Sequence, residues 1–398
     1  MVNYYKFKLA CGVRKNRILN NKSIRIHKSI IARDYWRAKA HVMEWLGCES
    51  LIHSCPSFLL LYFPHTLADA QLYPFSQHSQ KINDKYKLKI ARCNILDFTK
   101  NLKGVYPKVK YVGFQTWFDI GKTESDELIE CVKSRFPNAK IIFFDWFAPT
   151  DLRLGKVLGD GIDLYVKKNT LANMSKYKDG HNGDTTLMDF YGKRFGINYD
   201  HKNYNLSDDF LAKVITGPNF NTAPFLNSLF SQSSNELIDR FRPLDLHARI
   251  ETKGTDWYSA MRQASIYEVQ KLKNVNAVFK GMVGFKQYLK EMMDSKITFS
   301  PFGYGESCWR DYEAVALGSL LIKPDMSHMT TTPSIFIDGE TYISVKWDLS
   351  DFNEKLHYYL NNDDERRRIA KNAFDVCHDY IGKKGFMSFF GNLIERTK

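Results

Sequence analysis

At 398 residues the chain exceeds one typical domain, and with 44% hydrophobic and 25% charged residues it has the composition of a folded globular protein, not a disordered one. Its formal charge of +13 favours acidic company, whether nucleic acid, a lipid surface or a phosphorylated small molecule. Seven scattered cysteines, Cys11, Cys48, Cys55, Cys93, Cys131, Cys308 and Cys377, show no CxxC or paired-histidine spacing, so a reducing, cytoplasmic setting is expected, with neither a disulfide framework nor a zinc site.

The N-terminal stretch lacks an apolar core of signal-peptide length, and the longest apolar run, residues 51–67, is broken by His53, Pro56, Pro64 and His65; no targeting or spanning segment is expected. A candidate strand occupies 4–10. Residues 30–47 then repeat apolar positions at helical spacing with Arg33, Arg37 and Lys39 between them. Such a helix packs on a sheet or lies on an acidic membrane surface, the inner face of a membrane being the candidate for peripheral contact.

Three apolar runs follow, 58–63, 110–118 and 140–147, separated by helical stretches such as 123–136. That alternation predicts parallel strands with crossover helices. Residues 183–210 are polar and rich in turn formers, and Gly217, Pro218 and Pro224 place an interdomain linker nearby. Strands resume at 245–250, 277–281, 296–303 and 319–324, with helices opening near Asp256, Phe285 and Trp309, and 350–398 reads as consecutive helices. The expected fold class is α/β, with two Rossmann-like domains facing across a cleft. A first domain over 1–217, a second over 218–375, and a closing helix over 376–398 that packs back on the first domain complete the expectation.

The most informative segment is 296–325. A strand ends in a turn with Gly303 and Gly305, Glu306 and Ser307 follow, and a helix opens with Trp309 and Arg310 and holds Glu313. Open α/β sheets bind ligands beyond the carboxyl ends of their strands, glycines admit close backbone approach, and a helix N-terminus attracts phosphate. Ser307 and Arg310 would meet phosphate oxygens, and Glu313, one turn on, would accept ribose hydroxyls. The plainer reading is an i,i+3 ion pair of Arg310 and Glu313 on a helix surface.

The string SPFGYGESCWRDYEAVALGSLLIKP resembles the donor-site segment of GT-B glycosyltransferases, especially exostosin-like and related bacterial or viral sugar transferases. The resemblance implies that Glu313 holds a nucleotide ribose and that Ser307 and Arg310 hold phosphates or donor sugar. It covers mainly residues 245–380. It departs from the retaining pattern of two glutamates with seven residues between them, since Glu306 and Glu313 have six, and this favours inversion.

Upstream, Arg249, Lys253 and Arg262 surround a strand-to-helix junction, where a planar guanidinium fork or an ammonium would clamp a diphosphate; a solvated basic loop is the alternative. In the first half, Asp145 ends an apolar strand and Asp151 follows in its loop. An inverting transfer needs a base facing the cleft, so Asp145 is the first catalytic candidate and Asp151 the second, against the plainer reading of loop or capping aspartates. Asp119, His181, Asp184 and Asp189 are rival bases.

No Asp-x-Asp after a strand, P-loop, GxGxxG, GxSxG or HExxH occurs, so neither a metal nor another cofactor is expected. The basic residues are dispersed and not interleaved with aromatics on one face, which speaks against nucleic acid as a partner. The expected activity is metal-independent transfer of a sugar from a nucleotide-sugar donor to a glycan or lipid-linked acceptor. Its rivals are a nucleotide-sugar epimerase or hydrolase of the same fold and a non-catalytic basic protein binding glycan or membrane surface.

Overall fold

The computed structural model describes residues 56–101, 104–219, 223–230, 234–382 and 384–398. The strand expected at 4–10 and the helix expected at 30–47, with the membrane contact drawn from it, lie outside these residues. Among the described residues no helix is long and apolar enough to cross a membrane.

Among the described residues there are fifteen short strands: β1 (Phe58–Tyr62), β2 (Ile90–Asn94), β3 (Tyr111–Phe114), β4 (Lys140–Asp145), β5 (Leu164–Lys167), β6 (Asn169–Leu171), β7 (His181–Asn182), β8 (His201–Lys202), β9 (Val214–Thr216), β10 (Leu244–His247), β11 (Ala277–Val278), β12 (Ser295–Phe299), β13 (Leu320–Pro324), β14 (Met329–Thr331) and β15 (Ile343–Val345). The first sheet runs β2-β1-β3-β4-β5-β9 and the second β11-β10-β12-β13-β15, and every pairing within them is parallel.

β1 is buried at all five positions, as a central parallel strand covered on both faces must be. Its alternation divides the core: Leu59 and Leu61 join one cluster with Phe114 and Phe143, while Phe58, Leu60 and Tyr62 face the other side. That other side is closed by Phe386, Phe389, Phe390, Leu393 and Ile394 of the helix Gly385–Arg396, so the last helix packs on the first sheet. In the second sheet, Ile297, Phe299, Leu320 and Ile322 pack on Phe352, Leu356 and Ile369 of the C-terminal helices.

The helices expected near Asp256, Phe285 and Trp309 span Asp256–Gln270, Phe285–Asp294 and Trp309–Ala316. Two details differ from expectation. The polar segment 183–210 holds a helix, Thr186–Phe195, whose Leu187 and Tyr191 enter the core of the second domain, with the Tyr191 ring 6.4 Å from that of Trp257. Cys93 is disulfide-bonded, whereas Cys131, Cys308 and Cys377 are free thiols.

Candidate functional site

The carboxyl ends of the two sheets meet where the loop after β4 touches the loop after β12. A Cβ built on Gly305 would lie 2.1 Å from the Ala148 carbonyl oxygen, so no side chain fits at that closest approach. Beside it opens a cavity of about 530 Å³, walled by Leu67 and Ala148 from the first domain and by Arg262, Ser307, Arg310 and Glu313 among others from the second. A second cavity of about 470 Å³, bordered by Arg249, Ile250, Phe279 and Gly281, shares Tyr288 and Arg310 with it.

The helix Trp309–Ala316 starts from a fixed point. Asp311 accepts the Cys308 backbone N–H at 2.9 Å and the Ser300 hydroxyl at 2.5 Å, and Lys323 lies 3.2 Å away in full burial. Arg310, the residue before this cap, is thereby held against the cavity wall. Its Nη2 donates to the Arg249 carbonyl at 2.7 Å and its Nε to the Tyr288 hydroxyl at 3.4 Å, while Nη1 is buried with no hydrogen-bond partner among the described residues. Burial opposes the guanidinium charge, yet Tyr288, Cys308 and Glu313 around it hold its pKa above the ordinary value. Glu313 is 5% exposed and accepts the Tyr288 hydroxyl at 3.0 Å. Arg310 and Glu313 thus face a cavity through a shared tyrosine, not as a surface ion pair.

Ser307, 1% exposed, lines the same cavity. Arg262 lines it too, but as support: Nε donates to the Phe302 carbonyl at 3.1 Å, Nη1 to the Glu251 carbonyl at 3.0 Å, and the guanidinium lies 4.7 Å from the Tyr258 ring. Burial, then the neighbouring Arg310, lower its pKa. Two expectations are corrected. Arg249 is engaged by Glu291 through bonds of 2.7 and 2.9 Å and by the carbonyls of Lys280 and Gly281, which makes it a builder of the smaller cavity's wall instead of a free phosphate ligand. Lys253 is exposed and lines neither cavity.

The catalytic candidates are corrected likewise. Asp145 is fully buried; Oδ2 accepts the Tyr165 hydroxyl at 2.5 Å and the Lys167 ammonium at 2.8 Å, and Oδ1 accepts the Phe147 N–H at 2.9 Å. It holds the strand ends together and presents nothing to the cleft. Asp151 is clamped by Arg153 through bonds of 2.7 and 2.8 Å. Burial would raise its pKa, but the Arg153 charge and hydrogen bonds leave it below the ordinary carboxylate value. A carboxylate so paired is a weak base. The rivals fare no better: His181 bonds the Gly183 carbonyl, Asp184 pairs with Lys202 and Asp189 with Lys193, and none of these, nor exposed Asp119, lines either cavity.

His65, which the sequence presents as a breaker of an apolar run, stands at the carboxyl end of β1 with its ring 4.7 Å from Trp146. Its Nδ1 accepts the backbone N–H of Leu67, a cavity residue, at 3.2 Å, so the neutral ring carries its proton on Nε2. Burial, then Lys168, lower its pKa and keep it neutral near pH 7. Lys168 itself is pulled down to about 7 by burial and by Lys167. The sequence signal was a Pro-His-Thr step after a strand, which is no more than a capping pattern. Among the described residues no group of three or more His, Cys, Asp or Glu stands together as a metal site.

Residues 235–381 match the family model described as Glycosyl transferase-like. No curated protein matches the chain. Among solved structures, TarM is similar at 11% identity with a TM-score of 0.45, over 77% of this chain and 59% of TarM, so the chain spans less than two thirds of that protein. A glycosyltransferase from Rickettsia africae ESF-5 is similar at 12% identity over 85% of this chain and 98% of its own, TM-score 0.44. Anabaena Alr3699/HepE in complex with UDP is similar at 10% identity over 85% and 99%, TM-score 0.44.

Proposed function

We propose that this chain, with its glycosyl transferase-like second domain set against a first Rossmann-like domain in the GT-B arrangement, moves a sugar from a nucleotide-sugar donor to a glycan or lipid-linked acceptor. The observation that carries the reading is the buried, unpartnered Nη1 of Arg310 beside Glu313 and Tyr288, at the wall of a cavity that both domains line. A guanidinium so placed suits an anion with the geometry of a phosphate.

In this reading Glu313 accepts the ribose hydroxyls, Ser307 and Arg310 take the diphosphate, and the base of the nucleotide occupies the smaller cavity. Arg310 balances the charge that grows on the departing diphosphate, the role a divalent ion fills elsewhere, so no metal is needed. The C1–O bond to the diphosphate breaks as the bond to the acceptor oxygen forms. With Asp145 and Asp151 tied to Lys167 and Arg153, the acceptor proton passes to the departing diphosphate oxygen. Attack then comes from the face the diphosphate leaves, which retains the anomeric configuration, in place of the inversion expected from the Glu306–Glu313 spacing and an aspartate base. His65 Nε2–H donates to a sugar hydroxyl from the first-domain side.

The test is a thermal-shift panel of UDP-, GDP-, CMP- and ADP-linked sugars, with and without chelator, because a ligand that binds the folded state raises its apparent stability. One nucleotide raising Tm in wild type, insensitively to chelator, and failing to do so in Glu313→Ala is the expected outcome. Silence across the panel, or product of inverted configuration by NMR, removes the corresponding part of the reading.

A further inference from the structure

Glu306 is a fully buried carboxylate of the second domain whose shortest hydrogen bond comes from the first. The Thr150 hydroxyl donates to Oε2 at 2.6 Å and the Thr186 hydroxyl approaches Oε1 at 3.5 Å. Thr150 in turn accepts Asn169 Nδ2 at 2.8 Å. Asn169 opens β6, which pairs antiparallel with β14, so a two-stranded ribbon joins the domains immediately behind this carboxylate, extended by a 2.8 Å bond from the Ala172 N–H to the His328 carbonyl. On the other side of Glu306 the backbones of Gly305 and Ala148 touch.

A buried carboxylate is costly unless its oxygens are bonded, and here Oε2 is bonded across the seam between domains. Separating the domains would strip Glu306 of its short bond from Thr150, while Thr186, whose helix packs on the second domain, would stay with it. The same loop carries Ser307 and leads into Arg310, while Ala148 belongs to the opposite wall of the cavity.

We propose that Glu306 is a positioning residue that latches the two domains in the closed arrangement, setting the distance between the donor-side loop and the first-domain wall. The inference rests on the transferase reading for its kinetic consequence and on geometry alone for its structural one. Donor contacts come from the second domain and survive an open cleft. Transfer needs both walls, and a misplacement of about 1 Å at a reacting pair costs on the order of 100-fold in rate.

The test uses the full chain with Glu306→Ala, Thr150→Val, the double variant, and Glu306→Gln, which retains one acceptor oxygen. In small-angle scattering the two single variants are expected to have a larger radius of gyration than wild type, and the double variant to be no larger than either, because they break one contact. In assays, kcat falls on the order of 100-fold while the dissociation constant for the nucleotide sugar stays within about threefold, and Glu306→Gln recovers part of kcat. A disulfide between Thr170→Cys and Thr330→Cys, directly opposed across the ribbon, is expected to restore both compactness and kcat to Glu306→Ala. Unchanged scattering in the single variants overturns the latch whether or not any sugar is transferred. Absence of nucleotide-sugar binding by wild type overturns the functional reading and leaves the scattering result to decide the latch.

Discussion

The Tyr288 hydroxyl joins Arg310 to Glu313: it accepts from Arg310 Nε at 3.4 Å and donates to Glu313 Oε2 at 3.0 Å. The tyrosine comes from the helix Phe285–Asp294 and is half-buried at the cavity wall, and burial, then the Glu313 charge, raise its pKa, so it stays a donor at any working pH. Removing that hydroxyl takes from Glu313 one of the donors that hold it in place. Tyr288→Phe is expected to weaken nucleotide-sugar binding by about tenfold to 100-fold, the worth of one hydrogen bond to a charged group, and Glu313→Ala by at least as much. Calorimetry checks this, and equal affinity of Tyr288→Phe and wild type would separate Glu313 from the ligand.

Arg310→Lys tests whether charge or fork geometry matters. A lysine keeps the charge but has a single ammonium where the guanidinium bonds the Arg249 carbonyl, approaches Tyr288 and leaves Nη1 for a ligand. Donor affinity is expected to fall at least tenfold in Arg310→Lys, with little recovery over Arg310→Ala. Full recovery by lysine would mean that Arg310 acts at a distance, by field alone.

Asp145 supplies a contrast between catalysis and stability. Its partner Lys167 is 1% exposed, and breaking a buried pair by removing one member costs about 3–5 kcal/mol. Asp145→Ala is therefore expected to lower Tm by many degrees and to lose activity with folded fraction. Were Asp145 the base after all, transfer by Asp145→Asn would fall far beyond its loss of folded fraction, which paired melting and activity measurements would reveal.

Much of this architecture was legible because parallel strands announce themselves. Runs such as Phe58–Tyr62 and Lys140–Asp145 are apolar on both faces, and Gly303, Gly305 and Arg310 mark a strand-to-helix turn by composition alone. The helix Thr186–Phe195 was hidden because its buried residues, chiefly Leu187 and Tyr191, are sparse in a polar stretch and find their partners across the molecule at Trp257 and Trp347. Asp145 misled for a related reason. An aspartate at a strand end looks alike from sequence whether it faces a cleft or a lysine 22 residues further on, and the ion pair with Lys167 is tertiary. Glu306 was visible as one of two glutamates, but nothing local shows that its donors are Thr150 and Thr186.

His247 gives the pH prediction. It ends β10 in full burial, neither ring nitrogen has a hydrogen-bond partner among the described residues, and the Tyr288 ring lies 5.1 Å from it. Burial first, then Arg310, push its pKa down to about 3; Glu291 opposes and Arg249 adds to the fall. Below the unfolded value of about 6.5 the unfolded chain takes up a proton that the native ring refuses, so stability is full above that pH and is lost as pH falls towards 3. Between pH 6.5 and 4.5 this one group is expected to remove about 2–3 kcal/mol at most, at roughly 1.4 kcal/mol per pH unit. His65, His78 and His328, also held below the ordinary value, act in the same direction. Urea unfolding of wild type and His247→Gln at pH 7.5, 6.0 and 4.5 checks the share: the variant's stability is expected to fall less steeply over that range. Parallel slopes for the two proteins would mean that the native ring takes up its proton as readily as the unfolded one, and that the cavity behind Arg310 is wetter than its geometry implies.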